Sequence, residues 1–279
     1  MFIFFIFLLF QVVSTEKDIV IKFLKIVYSL YKTYGSSINP LKTKINFSHS
    51  MTINGTELVI PQITETELNW CGLIIDTKKL EVSPDFSRIL CNKLSSSVCI
   101  DFNNLSKSFT KSIKTFFRTK CHKIFFDKQI NSKSRTIKSI YTSFLITAMR
   151  THIFLKITGT HFINLNPDYI LASIEEGVIY GSRLVVYRTH YKTTKNTGEA
   201  SDKENSKSRP VNLSEISNIL IRQLGLYAFF CVLKKHHNFY KRLLIKLKNK
   251  FRVDFFKFSD EIICLIDACN LIMRDVNWN

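Results

Sequence analysis

The chain has 279 residues, of which 46% are hydrophobic, enough for one large domain or two modest ones. Its seven cysteines are odd in number and include no Cys-x-x-Cys pair. This argues against a disulfide framework or a zinc ribbon and favours a reduced intracellular compartment. The 40 Lys and Arg residues against 22 Asp and Glu give a net charge of +18. That excess favours a polyanionic partner, although a basic surface without a ligand would have the same composition.

Residues 2–10 form an unbroken apolar run. Such a run is typical of a secretory signal peptide, but no Lys or Arg precedes it. It is also shorter than the roughly 20 apolar residues that a membrane helix needs. Buried β-strands are continuously apolar as well, and we favour that interpretation.

The first 80 residues mix helical and strand patterns. Apolar spacing predicts a helix over 18–34, which a glycine at position 35 ends. Residues 51–53 and 56–58 flank an Asn-Gly pair, a strong hairpin signal, and residues 70–75 are predicted as a further strand. These elements predict a fragment of helix and sheet that belongs to a larger layer.

From residue 80 onward the pattern is helical, so the predicted fold class is α+β. A polar, charged stretch over 193–210 is predicted to be a flexible insertion. The predicted helices are 104–121, 137–156, 169–187, 216–233, 241–252 and 260–273. The second of these is predicted to be amphipathic, the third to begin at Asn166-Pro167-Asp168, and the fourth to be capped within 212–215.

The helix over 104–121 has two contrasting faces. Its apolar residues form one stripe and its basic residues recur at i, i+4, i+7 and i+11, so at about 100° per residue the two sets lie on opposite sides. The apolar face would dock on a core while the cationic face binds a phosphate backbone, although an ordinary solvated helix face has the same pattern. The basic set is Lys107, Lys111, Lys114 and Arg118, and the apolar set is Leu105, Phe109, Ile113, Phe116 and Phe117.

Three runs of sequence occur in an informative order. They are Asn39-Pro40-Leu41-Lys42-Thr43-Lys44-Ile45-Asn46-Phe47, Trp70-Cys71-Gly72-Leu73-Ile74-Ile75-Asp76-Thr77 and Lys120-Cys121-His122-Lys123-Ile124-Phe125-Phe126-Asp127-Lys128-Gln129-Ile130-Asn131-Ser132. The first two resemble motif D and motif E, the primer grip, in the palm of telomerase reverse transcriptases. The third is similar to a run in the thumb of the same family. The likeness covers most of residues 17–279, with Pro40 as a departure from motif D.

The resemblance implies a partial polymerase palm over residues 1–79, followed by a mostly helical thumb, the C-terminal extension, over 80–279. It implies RNA-directed DNA polymerase activity in the complete protein, at telomeres in the nucleus. The implied partners are the telomerase RNA template, the telomeric DNA primer and the catalytic half of the polymerase. Nucleotides are the only small-molecule substrates that it implies, and nothing in it calls for a membrane.

The resemblance also assigns roles to four residues. Lys42 would be the motif D lysine, a general acid for the departing pyrophosphate, although a surface lysine beside a strand is the simpler interpretation of the residue alone. Trp70, Cys71 and Gly72 would contact the primer backbone, since glycine permits close approach and tryptophan offers a flat platform. The alternative is a core tryptophan beside a turn glycine, and for Cys71 itself we expect a small buried thiol.

The family's nucleotide transfer uses magnesium held by an aspartate pair, and magnesium is therefore the cofactor expected of the complete enzyme. Aligned by the helix that follows, Leu8 and Leu9 stand at the positions of those aspartates, so we expect this chain alone to bind no metal and to lack catalysis. Glu175-Glu176 is interpreted as a solvated pair within a helix. Cys121-His122 is interpreted as a core and a surface residue on a helix, and His236-His237 as basic surface.

Three hypotheses stay open. The preferred one is the palm-thumb portion of a telomerase-type polymerase from a truncated reading frame. The second is a non-catalytic nucleic-acid-binding module derived from a polymerase. The third, a secreted or anchored basic protein, depends on residues 2–10 alone.

Overall fold

The computed structural model divides into two compact units, Met1–Glu67 and Leu68–Asn279. The predicted domain limits, 1–79 and 80–279, stay a prediction. The apolar run over 2–10 and the insertion over 193–210 lie outside the described residues. The structure describes residues 12, 14–35, 38, 43, 45, 47, 50–53, 56–59, 67–87, 94–190, 216–251, 256–274 and 276.

The first unit contains a helix, α1 (Lys17–Thr33), and a hairpin of β1 (Ser50–Ile53) and β2 (Thr56–Val59). The two strands are antiparallel, with Ile53 opposite Thr56, which confirms the predicted hairpin. Helix α1 confirms the predicted helix and packs Leu24 and Tyr28 against Ile45.

A three-stranded sheet begins the second unit: β3 (Glu67–Trp70), β4 (Leu73–Asp76) and β5 (Val82–Pro84), in that order. The strand predicted over 70–75 is confirmed from Leu73 onward as β4, but its predicted start is wrong, because the chain reverses at Cys71 and Gly72. Their φ angles are +49° and +82°, as in a two-residue type I′ turn. Cysteine seldom adopts a left-handed conformation, so the local sequence does not announce this turn.

Helices make up the rest of the described second unit, and this confirms the α+β class with a mostly helical C-terminal part. They are α2 (Leu105–Arg118), α3 (Lys133–Thr158), α4 (Thr160–Leu165), α5 (Pro167–His190), α6 (Asn218–Lys235), α7 (His237–Phe251) and α8 (Asp260–Asn270). Short 3-10 turns lie at Leu94–Ser97, Lys123–Phe126 and Leu271–Arg274. In the described part of the chain, no helix has both the length and the hydropathy to span a bilayer.

Helix α3 lies at the centre of this unit and packs against α2, α6 and α8. The prediction that it is amphipathic is wrong, because nearly every residue from Thr136 to Leu155 is buried. Four of its buried hydroxyls are satisfied within the helix, where they donate to the carbonyl four residues earlier at 2.8 Å. The donors are Thr142, Ser143, Thr147 and Thr151.

Two helix starts follow simple chemistry. Pro167 is the first residue of α5, as predicted, where a missing N–H costs nothing. Ser217 caps α6, since its hydroxyl accepts a hydrogen bond from the Leu220 N–H at 3.1 Å. The predicted cap within 212–215 lies outside the described residues.

Glycines of α5 let α2 and α3 approach it closely. A Cβ atom at Gly177 would lie 2.3 Å from Cγ2 of Ile113 on α2, and one at Gly181 would lie 2.8 Å from the Phe144 ring on α3. Because real Cβ atoms do not approach so closely, a side chain at either position would separate the helices. The apolar face of α2 is thereby held against the core, with Phe109, Ile113 and Phe117 buried.

Candidate nucleic-acid interface

The basic row predicted for the helix over 104–121 lies on α2, on the side opposite its buried phenylalanines. Lys107, Lys111 and Arg118 are exposed. Lys114 is only partly exposed, and its ammonium lies 2.6 Å from Oε1 of Glu176 on α5. Three cations of the row therefore face solvent without an acid partner among the described residues, and the fourth is already paired.

Helix α5 carries acidic side chains that bind lysines from its two neighbours. Lys246 of α7 lies 2.7 Å from Asp168, and Lys250 of α7 lies 2.8 Å from Glu175. Together with the Lys114–Glu176 pair, these contacts place α5 between α2 and α7. The predicted solvated pair Glu175-Glu176 is therefore partly exposed but also ion-paired, which leaves these carboxylates engaged.

The turn between β3 and β4 carries the other predicted contact residues. Cys71 and Gly72 are exposed at its tip, so the expectation of a buried Cys71 thiol is wrong, because the left-handed turn directs this residue outward. Trp70 is partly buried, and its indole N–H has no hydrogen-bond partner among the described residues. Lys42, the remaining predicted site residue, lies outside the described residues.

Hydrogen bonds fix this hairpin to the helical part of its unit. The Asp85 N–H donates to the Gly72 carbonyl at 2.9 Å. The Val82 N–H donates to Oδ1 of Asn131 at 2.7 Å, while Nδ2 of Asn131 donates to the Ile124 carbonyl at 2.7 Å. One buried amide thus joins β5 to the segment that precedes α3.

The run over 120–132 forms that segment. The helix predicted to reach Cys121 ends at Arg118, and beyond it Cys121 is fully buried while His122 is exposed, as core and surface residues. Burial raises the pKa of the Cys121 thiol to about 12, so it stays protonated. The Asp127 carboxylate accepts from the Gln129 N–H at 3.1 Å and rigidifies the approach to Asn131. The sequence resemblance identifies this run, whereas the hydrogen bond of Asn131 to β5 is visible only in the structure.

Two further cations lie near the C-terminal end of α2, and sequence reasoning missed them. The Lys120 ammonium lies 6.0 Å from the centroid of the Phe86 ring, and the Arg150 guanidinium 5.6 Å from that of Phe116. Burial lowers the pKa of both side chains, and the charge of Arg150 lowers that of Lys120 further. The sequence does contain a signal for Arg150, because it is the only Lys, Arg, Asp or Glu between residues 139 and 155 and therefore stands out in an otherwise uncharged helix segment.

The interior also contains a histidine pair. The rings of His152 and His236 stack at 3.8 Å, and Nδ1 of His152 lies 2.8 Å from the Tyr240 hydroxyl. The assignment of His236 to the surface is therefore wrong, while His237 is exposed. Burial, followed by the charges of His236 and Lys156, lowers the pKa of His152 to about 3. Among the residues that the structure describes, no three His, Cys, Asp or Glu side chains cluster as metal ligands.

Comparisons with known proteins agree with the resemblance. Residues 107–248 match the family model described as "Telomerase reverse transcriptase, C-terminal extension". The chain is 30% identical to telomerase reverse transcriptase of Arabidopsis thaliana over 85% of its own length and 20% of the relative. The protein of the same name from Takifugu rubripes is 25% identical over 82% of the chain and 20% of the relative. The chain thus spans about a fifth of the length of these curated relatives.

Proposed function

The chain belongs to the telomerase reverse transcriptase family, and we propose that it supplies the part of such a polymerase that grips the primer 3′ end and the RNA–DNA duplex. In the complete enzyme this grip would serve synthesis of telomeric DNA on an RNA template in the nucleus. The partners of the chain are then the telomerase RNA, the telomeric DNA primer and the catalytic half of the polymerase.

One observation supports this proposal most directly. The exposed Cys71–Gly72 turn and the cationic face of α2 belong to one compact unit, within which Asn131 ties the hairpin to the helical part. A duplex presents a regular row of phosphates, so a rigid protein surface binds it well when its own contacts are fixed relative to one another. The net charge of +18 adds a long-range attraction for the same ligand.

The contact residues have separate roles in this proposal. Lys107, Lys111 and Arg118 bind backbone phosphates, which releases counterions from the duplex. Gly72 allows the backbone of the turn to approach the primer strand, and the partly exposed Trp70 offers its ring. Lys42 is proposed as the proton donor to pyrophosphate on the motif D resemblance alone.

The chain does not fit the magnesium chemistry of the family. Leu8 and Leu9 stand where the resemblance expects the aspartate pair, and leucine has no oxygen to offer magnesium. We therefore propose that the chain does not polymerise by itself and that Lys42 would act as a proton donor only in the complete enzyme. The same observation favours the second candidate, a non-catalytic module that binds hybrid duplex.

Titration of a labelled RNA–DNA hybrid with the 279-residue chain at several salt concentrations tests the grip. The affinity should fall steeply with salt, and substitution of Lys107, Lys111 and Arg118 by Gln should lower the log–log slope by about one per cation removed. A matched control replaces three exposed cations elsewhere, Lys241, Arg242 and Lys257, by Gln. The proposal would be rejected if the affinity did not depend on salt concentration, or if both triple variants lost the same amount of affinity.

Primer extension separates the two candidates. With magnesium, template and nucleotides, the chain alone should extend no primer. Addition of a separately expressed catalytic half from a relative should restore extension if the chain is a polymerase portion. Persistent inactivity of that mixture, together with intact hybrid binding, would favour the non-catalytic module.

A further inference from the structure

Arg150 is a buried cation for which the described residues provide no anion. The residue is 9% exposed, and its Nε atom has no hydrogen-bond partner. Among the described residues, no carboxylate forms an ion pair with its guanidinium. Stacking of the guanidinium over Phe116 compensates only part of the lost hydration. A buried charge without a partner is unfavourable, so its presence at the edge of a core calls for an explanation.

A second cation makes this arrangement more unfavourable. Lys120 is partly buried, and after burial the charge of Arg150 is the next largest cause that lowers its pKa. Asp85 acts in the opposite direction with a smaller effect. Arg150 stacks on Phe116, and the Lys120 N–H donates to the Phe117 carbonyl at 3.1 Å, so both cations lie at the C-terminal end of α2. An anion bound to both would relieve their repulsion.

The location of the pair connects it to the hairpin turn. Lys120 lies over the ring of Phe86, the residue that follows Asp85. The Asp85 N–H in turn donates to the carbonyl of Gly72 at 2.9 Å. Lys120 is thus linked to the turn through Phe86 and Asp85, and Arg150 stacks on Phe116 near the end of α2 that carries Arg118.

We propose that Lys120 and Arg150 form a binding site for one phosphate group of the nucleic-acid strand held at the Cys71–Gly72 turn. This inference rests on the proposed function and adds a specific contact to it. A guanidinium offers several N–H donors in one plane, which suits two oxygens of a phosphodiester, and a lysine ammonium adds a point charge. Because Phe86 and Asp85 link Lys120 to the turn, the strand backbone is the expected source of this phosphate and free pyrophosphate is the alternative.

Arg150→Met and Lys120→Met in the 279-residue chain test the site by fluorescence anisotropy with an RNA–DNA hybrid. Each variant should bind about tenfold more weakly, with a log–log salt slope lower by about one. The double variant should lose less than the product of the two factors, since both residues bind one phosphate. Arg242→Met, which removes an exposed arginine of α7, should change the affinity little.

The unfolding midpoint of the free chain separates binding from structure. Arg150→Met should leave it unchanged or raise it, because methionine fills the space of the arginine stem without a buried charge. A fall in both midpoint and affinity would assign Arg150 a structural role and overturn the proposal for that residue. Lys120→Met, at a partly exposed position, then decides whether a phosphate site exists at all.

Neutral methylphosphonate linkages identify the source of the phosphate. A set of hybrids is prepared, each with one such linkage at a different position. At one of these positions the linkage should weaken binding to the wild-type chain but should not change binding to the Arg150→Met variant. If inorganic pyrophosphate displaces the hybrid from the wild-type chain but not from Arg150→Met, the site binds a free anion and the strand assignment is overturned. Absence of any hybrid binding would reject the proposed function and this site together, whereas normal binding by both variants would reject the site alone.

Discussion

At the residue scale, Asn131 joins β5 to the segment that precedes α3. Its amide accepts from the Val82 N–H and donates to the Ile124 carbonyl, each at 2.7 Å, and the side chain is 5% exposed. Two backbone groups far apart in sequence therefore depend on one side chain. An apolar replacement of similar size could satisfy neither group.

Asn131→Ala should lower the free energy of unfolding by about 2–3 kcal/mol, because it leaves a buried N–H and a carbonyl without partners. Urea titration followed by circular dichroism measures the loss. Asn103→Ala is the matched control, since Asn103 is exposed and its hydrogen bond to Asp101 uses the backbone N–H. If the two substitutions lowered the free energy of unfolding equally, the hydrogen bonds of Asn131 would make no special contribution to stability.

His152 predicts a pH dependence. Its pKa is lowered from 6.5 to about 3, so the unfolded chain binds the proton more tightly than the folded chain. The stability is therefore complete above about pH 6.5 and falls by up to about 1.4 kcal/mol per pH unit toward pH 3. Urea titrations from pH 7 to pH 4 should show this fall, and His152→Asn, which keeps an acceptor near the Tyr240 hydroxyl, should reduce its slope. An unchanged slope in the variant would assign the acid sensitivity to other groups.

At the scale of elements, close packing orients the cationic face. Gly177 and Gly181 bring α5 against Ile113 of α2 and Phe144 of α3. The ion pair between Lys114 and Glu176 joins the same helices at the surface, where such a pair contributes less than about 1 kcal/mol. Steric fit rather than charge therefore sets the orientation of α2.

Gly177→Ala tests this fit. The new methyl group would meet Cγ2 of Ile113 and should destabilise the chain by about 1–3 kcal/mol, despite a gain in helix propensity of up to about 1 kcal/mol. In an Ile113→Ala background the same substitution should be neutral or stabilising, because the opposing methyl groups are gone. Chemical denaturation of the four proteins gives the coupling energy, and additive effects would contradict the contact.

The helices and strands also show which parts of the fold could be predicted from the sequence. Regular apolar spacing predicted α2 and α5 because each has one face in a core and one in water. It also predicted α1, although Ile19, Ile26 and Leu30 of that helix are exposed. The same rule failed for α3, which is surrounded by other helices and buries Thr142, Ser143, Thr147 and Thr151 through hydrogen bonds to its own backbone. It also failed at Cys71, whose left-handed conformation is imposed by the hairpin. For the candidate site, position along α2 was predictable, whereas Lys120 and Arg150 meet only after folding.

At the scale of the whole molecule, the net charge of +18 acts on stability and binding in opposite directions. Self-repulsion of the folded chain is screened by salt, and so is its attraction for a polyanion. Between about 50 and 300 mM KCl, the unfolding temperature of the free chain should rise while its affinity for hybrid falls. Differential scanning fluorimetry and anisotropy in the same buffers measure both, and a falling unfolding temperature would mean that salt mainly weakens internal ion pairs.

The tether between β5 and the segment before α3 has a mechanical consequence. Asp85 holds Gly72 at the tip of the hairpin, and Asn131 holds β5, which pairs with β4. A rotation of the helical bundle as a rigid body therefore carries Cys71 and Gly72 along an arc with it. A strand end seated on that tip and a duplex lying along α2 would then shift in step, as two points on one lever.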